Sequence, residues 1–319
     1  MQNALQLLKY HLWTLVLFTW SDIKTTLIPV SVLGLGTAQV CSPSPILNGV
    51  KAVFWIWSIL LQFNINNQAI SPEEDAKNKP WRPIPSGRIS LRNAMILRWI
   101  SVVYCCLLSF YLRKAVLIPS TLFTCFVFVY NSLGWDRNGF MKIFMLAYGY
   151  PTMALGAVLV AECPGPAPLA EILDWKKFPE LIVFALVIAT TVHTQDFQDV
   201  EGDREIGRNT VPMMFPVSSR FLLLFLLPLW TTFIAAFSSP PIWLGAVYYG
   251  LSLVVAVRCV LYRSPKDDAW TNFFYSWWLS CTLLHLCFYK RQANALFSQM
   301  DGSTTQMFLP SRLGPLLSA

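Results

Sequence analysis

The chain has 319 residues, of which 55% are hydrophobic, 14% aromatic and only 13% charged, with a net charge of +7. Soluble domains carry about 25% charged residues, so the 24 Lys+Arg and 17 Asp+Glu present are too few to cover a soluble globule of this size. This excludes a soluble enzyme, a disordered chain and a disulfide-stapled secreted domain, and leaves an all-α membrane protein with one helical domain.

In chain order, residues 1–22 form an amphipathic lead-in whose apolar face suits the membrane interface. A spanning helix needs about 20 mostly apolar residues. That rule predicts nine spans within 23–290: 23–41, 46–66, 89–112, 115–134, 140–161, 178–195, 217–238, 241–262 and 270–289. Residues 291–319 are a C-terminal tail, and the longest polar stretch is 67–88. The first ten residues lack the basic start and cleavable core of a signal peptide, so the first helix does the targeting. The eight cysteines form no CxxC pair and read as small buried hydrophobes. No run of five Lys/Arg exists, which excludes nucleic acid as a partner. Loops after even-numbered helices, with the helix ends that flank them, hold eleven Lys/Arg, from Lys77 to Lys266, against five in the others, so the even loops face the cytoplasm.

Two acidic segments fall on that face. The first to stand out is Asp196, Asp199 and Asp203, directly after an apolar helix. On a helix these positions share one stripe. Three carboxylates on one stripe repel unless a cation sits among them, and oxygen donors of this kind suit Mg²⁺. Arg204 and Arg208 can add phosphate contacts. A solvated helix end is the plainer explanation, but acidic groups continuing a membrane helix are costly. The other segment runs from Asn64 to Arg88. Asn67, Ser71 and Asp75 are spaced by four, as on one face of an unbroken helix. Ser71-Pro72-Glu73-Glu74 also has the form of a helix start, with Ser as N-cap and Glu74 closing a capping box. The chain then breaks at Ser71 and restarts as a short helix ending before Pro80.

At these residues the sequence resembles the UbiA superfamily of intramembrane prenyltransferases. That family is a nine-helix bundle with an N-D/Q-x-x-D-x-x-x-D motif after helix 2 and a D-x-x-D-x-x-x-D motif after helix 6. The second motif matches at Asp196, Asp199 and Asp203, and the first at Asn67, Gln68 and Asp75, with Ser71 in place of the middle aspartate. The segment NQxxSPEEDxxNKPxRPxPSG resembles a fungal branch that includes UbiA-type terpene cyclases.

The resemblance implies a Mg²⁺-dependent enzyme that ionises a prenyl diphosphate, farnesyl diphosphate above all, and closes the carbocation on itself. Asp75, Asp196, Asp199 and Asp203 are the expected catalytic residues. Asn67, Glu74, Asp75, Asp196, Asp199 and Asp203 are the expected metal ligands. Asn67, Lys79, Arg82, Lys142, Arg208 and Tyr130 are the expected substrate contacts. The partners are the diphosphate substrate and the lipid bilayer, and the fungal likeness implies the endoplasmic reticulum, with the site facing the cytosol. His193, His11 and His285 read as structural. The acidic segments do not distinguish a cyclase from a transferase that passes the prenyl group to an aromatic acceptor. The only clear mid-helix arginines, Arg98 and Arg258, have no acidic neighbour in sequence, which leans toward cyclisation. A cation-site transporter would need acidic residues near the bilayer midplane, whereas here they sit at helix ends on one side.

Overall fold

Long apolar runs can satisfy their backbone groups in a bilayer only as helices or closed barrels, and in the computed structural model the long elements among the described residues are all helices. The structure describes residues 2–37, 45–161, 179–238 and 240–307. The long helices are α1 (Gln2–Thr19), α2 (Ile28–Thr37), α3 (Pro45–Ile70), α5 (Leu91–Leu112), α6 (Leu117–Val127) and α7 (Gly139–Ala161), followed by α8 (Pro179–Thr191), α11 (Ser218–Ser238), α12 (Ile242–Leu261) and α13 (Pro265–Met307). Three short helices carry or flank the polar segments: α4 (Pro72–Asn78), α9 (Val200–Glu205) and α10 (Val211–Met214).

Contacts run from α2 through α3, α5, α6, α7, α8, α11 and α12 to α13, which returns to α2 and closes a ring. The seam between α3 and α7 is tight because Gly156 admits the Trp55 indole, where any Cβ would overlap the ring. The outer faces are apolar. On α5, Ile96, Trp99, Ile100, Val103, Leu107 and Phe110 are all exposed, a stripe suited to contact with lipid.

Eight helical stretches among the described residues are long and apolar enough to cross a membrane, one fewer than expected. The first runs from Ala4 to Gly36, so the lead-in and the first span are one continuous stretch, in which a 3₁₀ turn (Trp20–Asp22) passes into a π turn (Ile23–Leu27). The expected span 270–289 is helical within α13 but less apolar. Its Asn272, Ser276, Thr282 and His285 are buried inside the ring, not turned to lipid. Residues 38–41 of the first expected span lie outside the described residues. The expected tail is helical as far as Met307.

At one end of the bundle the loops are tied together. Gly139 N donates to Asn209 O at 2.8 Å and Asn209 N donates to Arg137 O at 2.9 Å, which joins the loop before α7 to the loop after α9. A side chain at Gly139 would meet Val211 N at 2.8 Å, so the approach requires glycine.

Candidate active site

The chain breaks at Ser71, as the Ser-Pro pair predicts: α3 ends at Ile70 and α4 starts at Pro72. The capping box does not form, because the Ser71 side chain accepts no capping bond. Glu74 is engaged elsewhere, with its Oε1 2.8 Å from Arg208 Nη1. Burial would push the Glu74 carboxyl up, but Arg208, Lys79 and Lys142 hold it below the ordinary carboxylate value. Asp75 points away from Glu74 to Arg82, which donates from Nη1 to Oδ1 at 2.7 Å. Here burial outweighs Arg82, and the Asp75 carboxyl lies above its ordinary value. Arg82 also donates to Ser21 Oγ at 2.7 Å and faces Asp22 at 3.8 Å, so the 3₁₀ turn in the first span reaches this bank.

The second bank is not the expected α-helical stripe. Residues Val192–Asp199 form a 3₁₀ helix, and α-geometry resumes in α9. In a 3₁₀ helix residues i and i+3 eclipse, so Asp196 and Asp199 stack on one side. Lys142 Nζ donates to Asp196 Oδ1 at 2.6 Å, and Lys79 Nζ to Asp199 Oδ2 at 3.5 Å. Asp203 lies behind them, 1% exposed, and accepts from Arg208 Nη1 at 2.9 Å. Between the two acids, Phe197 turns away to stack under the Arg220 guanidinium, 4.0 Å from the ring centre. Arg220 is itself locked bidentately on Asp268, at 2.8 and 2.7 Å.

The two banks meet. Gly202 of α9 presses on the Asn78 carboxamide of α4 with no room for a Cβ. Lys77 pairs with Glu205 beside that contact. Arg208 joins Glu74 on one bank to Asp203 on the other, and its Nη2 reaches Asp136 at 2.6 Å. Burial would lower the Arg208 pKa, but Glu74 foremost, with Asp203, raises it above its ordinary value.

Beneath them is a cavity of about 130 Å³. The polar end is walled by Asn67, Glu74, Asp196 and Asp199 together with Lys79, Arg82, Lys142 and Arg208. The deep end is walled by Leu60, Phe63, Phe123, Phe126, Leu146 and Met153. Phe126 stacks on Phe63 with ring centres 6.0 Å apart and on Tyr130 at 5.5 Å. Of the residues singled out by sequence, Asn67, Glu74, Lys79, Arg82, Tyr130, Lys142, Asp196, Asp199 and Arg208 line this cavity. Asp75 and Asp203 do not; they stand one layer back, behind Arg82 and Arg208. A second chamber shares Asp22, Lys79, Gln195 and Asp199 with the first and is also lined by Trp20, Lys24 and Trp81.

Sequence reasoning missed Asp22, Asp136, Tyr150 and Asn64. Asp22 had a signal, an acid at the edge of an apolar run. Asp136, in a short loop beside Arg137, had none. His193 lies beside a carbonyl as expected, with Nε2 3.4 Å from Ser219 O. Arg98 donates to Ser132 Oγ at 2.6 Å, and Arg258 to Thr271 Oγ1 and Asp267 O. Neither arginine lines the cavity.

No group of three or more His, Cys, Asp or Glu among the described residues is close enough to form a complete metal cage. The donors are instead oxygens in two facing banks, separated by lysine and arginine, and Asp75 Oδ2 and Asp203 Oδ2 are buried without a hydrogen-bond partner. Such a set fits a hard divalent ion whose coordination is completed by phosphate oxygens, the usual manner of Mg²⁺.

Residues 26–278 match the UbiA prenyltransferase family, and the chain belongs to that family. It is 30% identical over 279 residues to the diterpene cyclase eriG of Hericium erinaceus, covering 85% of this chain and 86% of that one. It is 29% identical to the fumagillin beta-trans-bergamotene synthase af520 of Aspergillus fumigatus, covering 83% and 89%. Among solved structures it resembles a UbiA homologue from Archaeoglobus fulgidus bound to GPP and Mg²⁺, with a TM-score of 0.57 at 14% identity over 87% and 99% of the two chains.

Proposed function

We propose that this member of the UbiA prenyltransferase family is a membrane-bound terpene cyclase, which ionises a prenyl diphosphate, farnesyl diphosphate in the first instance, and closes the cation on itself. The observation that carries this reading is the division of one cavity: an ionic mouth between two acidic banks and an apolar, aromatic end. A prenyl diphosphate has the same division. The likeness to fungal cyclases supports the same choice.

Four carboxylates (Asp22, Glu74, Asp196, Asp199) and four cations (Lys79, Arg82, Lys142, Arg208) line the cavity, so its charges cancel and the walls alone do not neutralise a diphosphate. Divalent ions, when bound, supply that neutralisation and draw off the charge that collects as the allylic C–O bond breaks. Asn67, Glu74, Asp196 and Asp199 would hold them, with Asp75 and Asp203 supporting from behind. Lys79, Arg82, Lys142 and Arg208 donate to the phosphate oxygens. The electron pair of the C–O bond leaves with the diphosphate. The deep end excludes water, which would quench the cation, and the faces of Phe63, Phe126 and Tyr130 stabilise it.

A transferase for a carboxylated aromatic acceptor would need a cation free in the deep end. The mid-helix arginines Arg98 and Arg258 are bound to other groups outside it. The Lys/Arg bias among loops supports a mouth facing the cytosol, and the fungal likeness supports the endoplasmic reticulum. The test is to supply Mg²⁺ and farnesyl diphosphate without an acceptor and analyse the volatiles. A cyclic terpene is the expected product. Turnover that appears only when a phenolic acceptor is added would replace the cyclase with a transferase.

A further inference from the structure

Helix α3 carries four buried amides within two turns, Gln62, Asn64, Asn66 and Gln68, each at most 3% exposed. Three of them pin neighbouring elements. Gln62 donates to Thr124 Oγ1 at 3.0 Å, Asn66 to Val127 O at 3.5 Å and Gln68 to Phe18 O at 2.8 Å. Asn64 is different. Its Nδ2 has no hydrogen-bond partner, and the residue lines the cavity. A buried donor without an acceptor is costly to the folded protein, and this one sits where a ligand would be.

Position fixes which part of the ligand. Leu60, Asn64 and Asn67 share one face of α3, and all three line the cavity. Asn67 belongs to the ionic mouth and Leu60 to the apolar end. Asn64 is therefore one turn below the headgroup ligands, at the junction of the two. A prenyl tail has no hydrogen-bond acceptor. The acceptor of a prenyl diphosphate nearest its tail is the bridging oxygen that joins C1 to phosphorus.

We propose that Asn64 is a catalytic residue that contacts the leaving group from the tail side, donating from Nδ2 to the bridging oxygen of the bound prenyl diphosphate. This rests on the ionisation reading above. As the C1–O bond breaks, its electron pair passes to that oxygen, the negative charge there grows, and the hydrogen bond strengthens. Asn64 gains and loses no proton. An interaction that is stronger in the transition state than in the bound substrate acts on kcat and not on KM.

The test is Asn64→Leu, which keeps the volume and removes the donor, read by release of inorganic diphosphate and by thermal unfolding in detergent. The expected result is a kcat lower by roughly 10²-fold, the cost of one such donor, with KM nearly unchanged. The expected Tm is equal to or above that of the wild type, because an unpartnered buried group has been removed. A fall in Tm with no change in kcat would make Asn64 a packing residue and overturn the proposal. An unchanged kcat at unchanged Tm would overturn it as well. Asn64→Gln, which retains a donor, should recover part of the rate; no recovery at wild-type Tm would also count against it. Wild-type protein that releases no diphosphate from any prenyl diphosphate would defeat the ionisation reading itself, an outcome distinct from a wild-type rate that Asn64→Leu leaves intact.

Discussion

Gly202 and Asn78 are in direct contact across the two acidic banks, and the contact is possible because residue 202 has no side chain. It sets how near Asp199 and Asp203 can come to Glu74. An added methyl must push α4 and α9 apart or turn Asn78 aside. Gly202→Ala is therefore expected to cost about 1–3 kcal/mol of stability, as overpacking does. It should also lower turnover more than tenfold, on the order of the loss that an ångström of misplacement brings. Thermal unfolding and diphosphate release measured on the same preparation check both.

Asp199 and Asp75 should fail in different ways. Asp199 lines the cavity and, among the described residues, its one partner is a long contact to Lys79. Asp199→Ala is expected to abolish turnover with little change in Tm. Asp75 is buried on Arg82, so Asp75→Ala strands a buried guanidinium, a loss of about 3–5 kcal/mol. It should abolish turnover and lower Tm while the protein still inserts into membranes. Activity surviving either change would remove that residue from the site.

The Arg220–Asp268 pair reaches the site through Phe197. Arg220 stacks on the ring that separates Asp196 from Asp199 in sequence, and Asp268 holds Arg220 with two bonds. Asp268→Asn is expected to destabilise the protein by about 3–5 kcal/mol, as breakage of a buried pair does, and to reduce kcat by loosening the 3₁₀ turn. Limited proteolysis between residues 192 and 205 would report that loosening independently of activity.

Glu74 gives a pH dependence. Its carboxyl lies below the ordinary 4.5 because Arg208, Lys79 and Lys142 outweigh burial. A depressed carboxylate contributes stability that is complete above its unfolded value and is lost as pH falls through its folded value. In EDTA, the Tm of the wild type should exceed that of Glu74→Gln at neutral pH, and the gap should close as the pH drops below about 4.5. Asp75, raised above 3.8 by burial, works in the opposite sense and belongs equally to both proteins.

Much of this was legible in the sequence, for physical reasons. Acidic residues continuing an apolar helix are expensive, so Asp196, Asp199 and Asp203 stood out. Ser71-Pro72 marked a break because proline at the first position starts a helix but does not continue one. What the sequence did not reveal is geometry set by tertiary contacts. The 3₁₀ turn at Val192–Asp199 has no local signature. The stripe expected from α-periodicity separates into two acids at the cavity and one, Asp203, behind it. Asp136 lies far along the chain from Glu74 and Asp203, and a single acid in a short loop resembles any solvated turn. The polar inner face of α13 is likewise explained only by the ring around it.

The most direct test of the central claim is release of inorganic diphosphate from farnesyl diphosphate by the purified protein, with no acceptor, before and after EDTA and again after Mg²⁺ is restored. Release that stops with the chelator, returns with Mg²⁺ and is absent in Asp199→Ala is the expected result. Release that is indifferent to EDTA, or that survives in Asp199→Ala, would contradict the account.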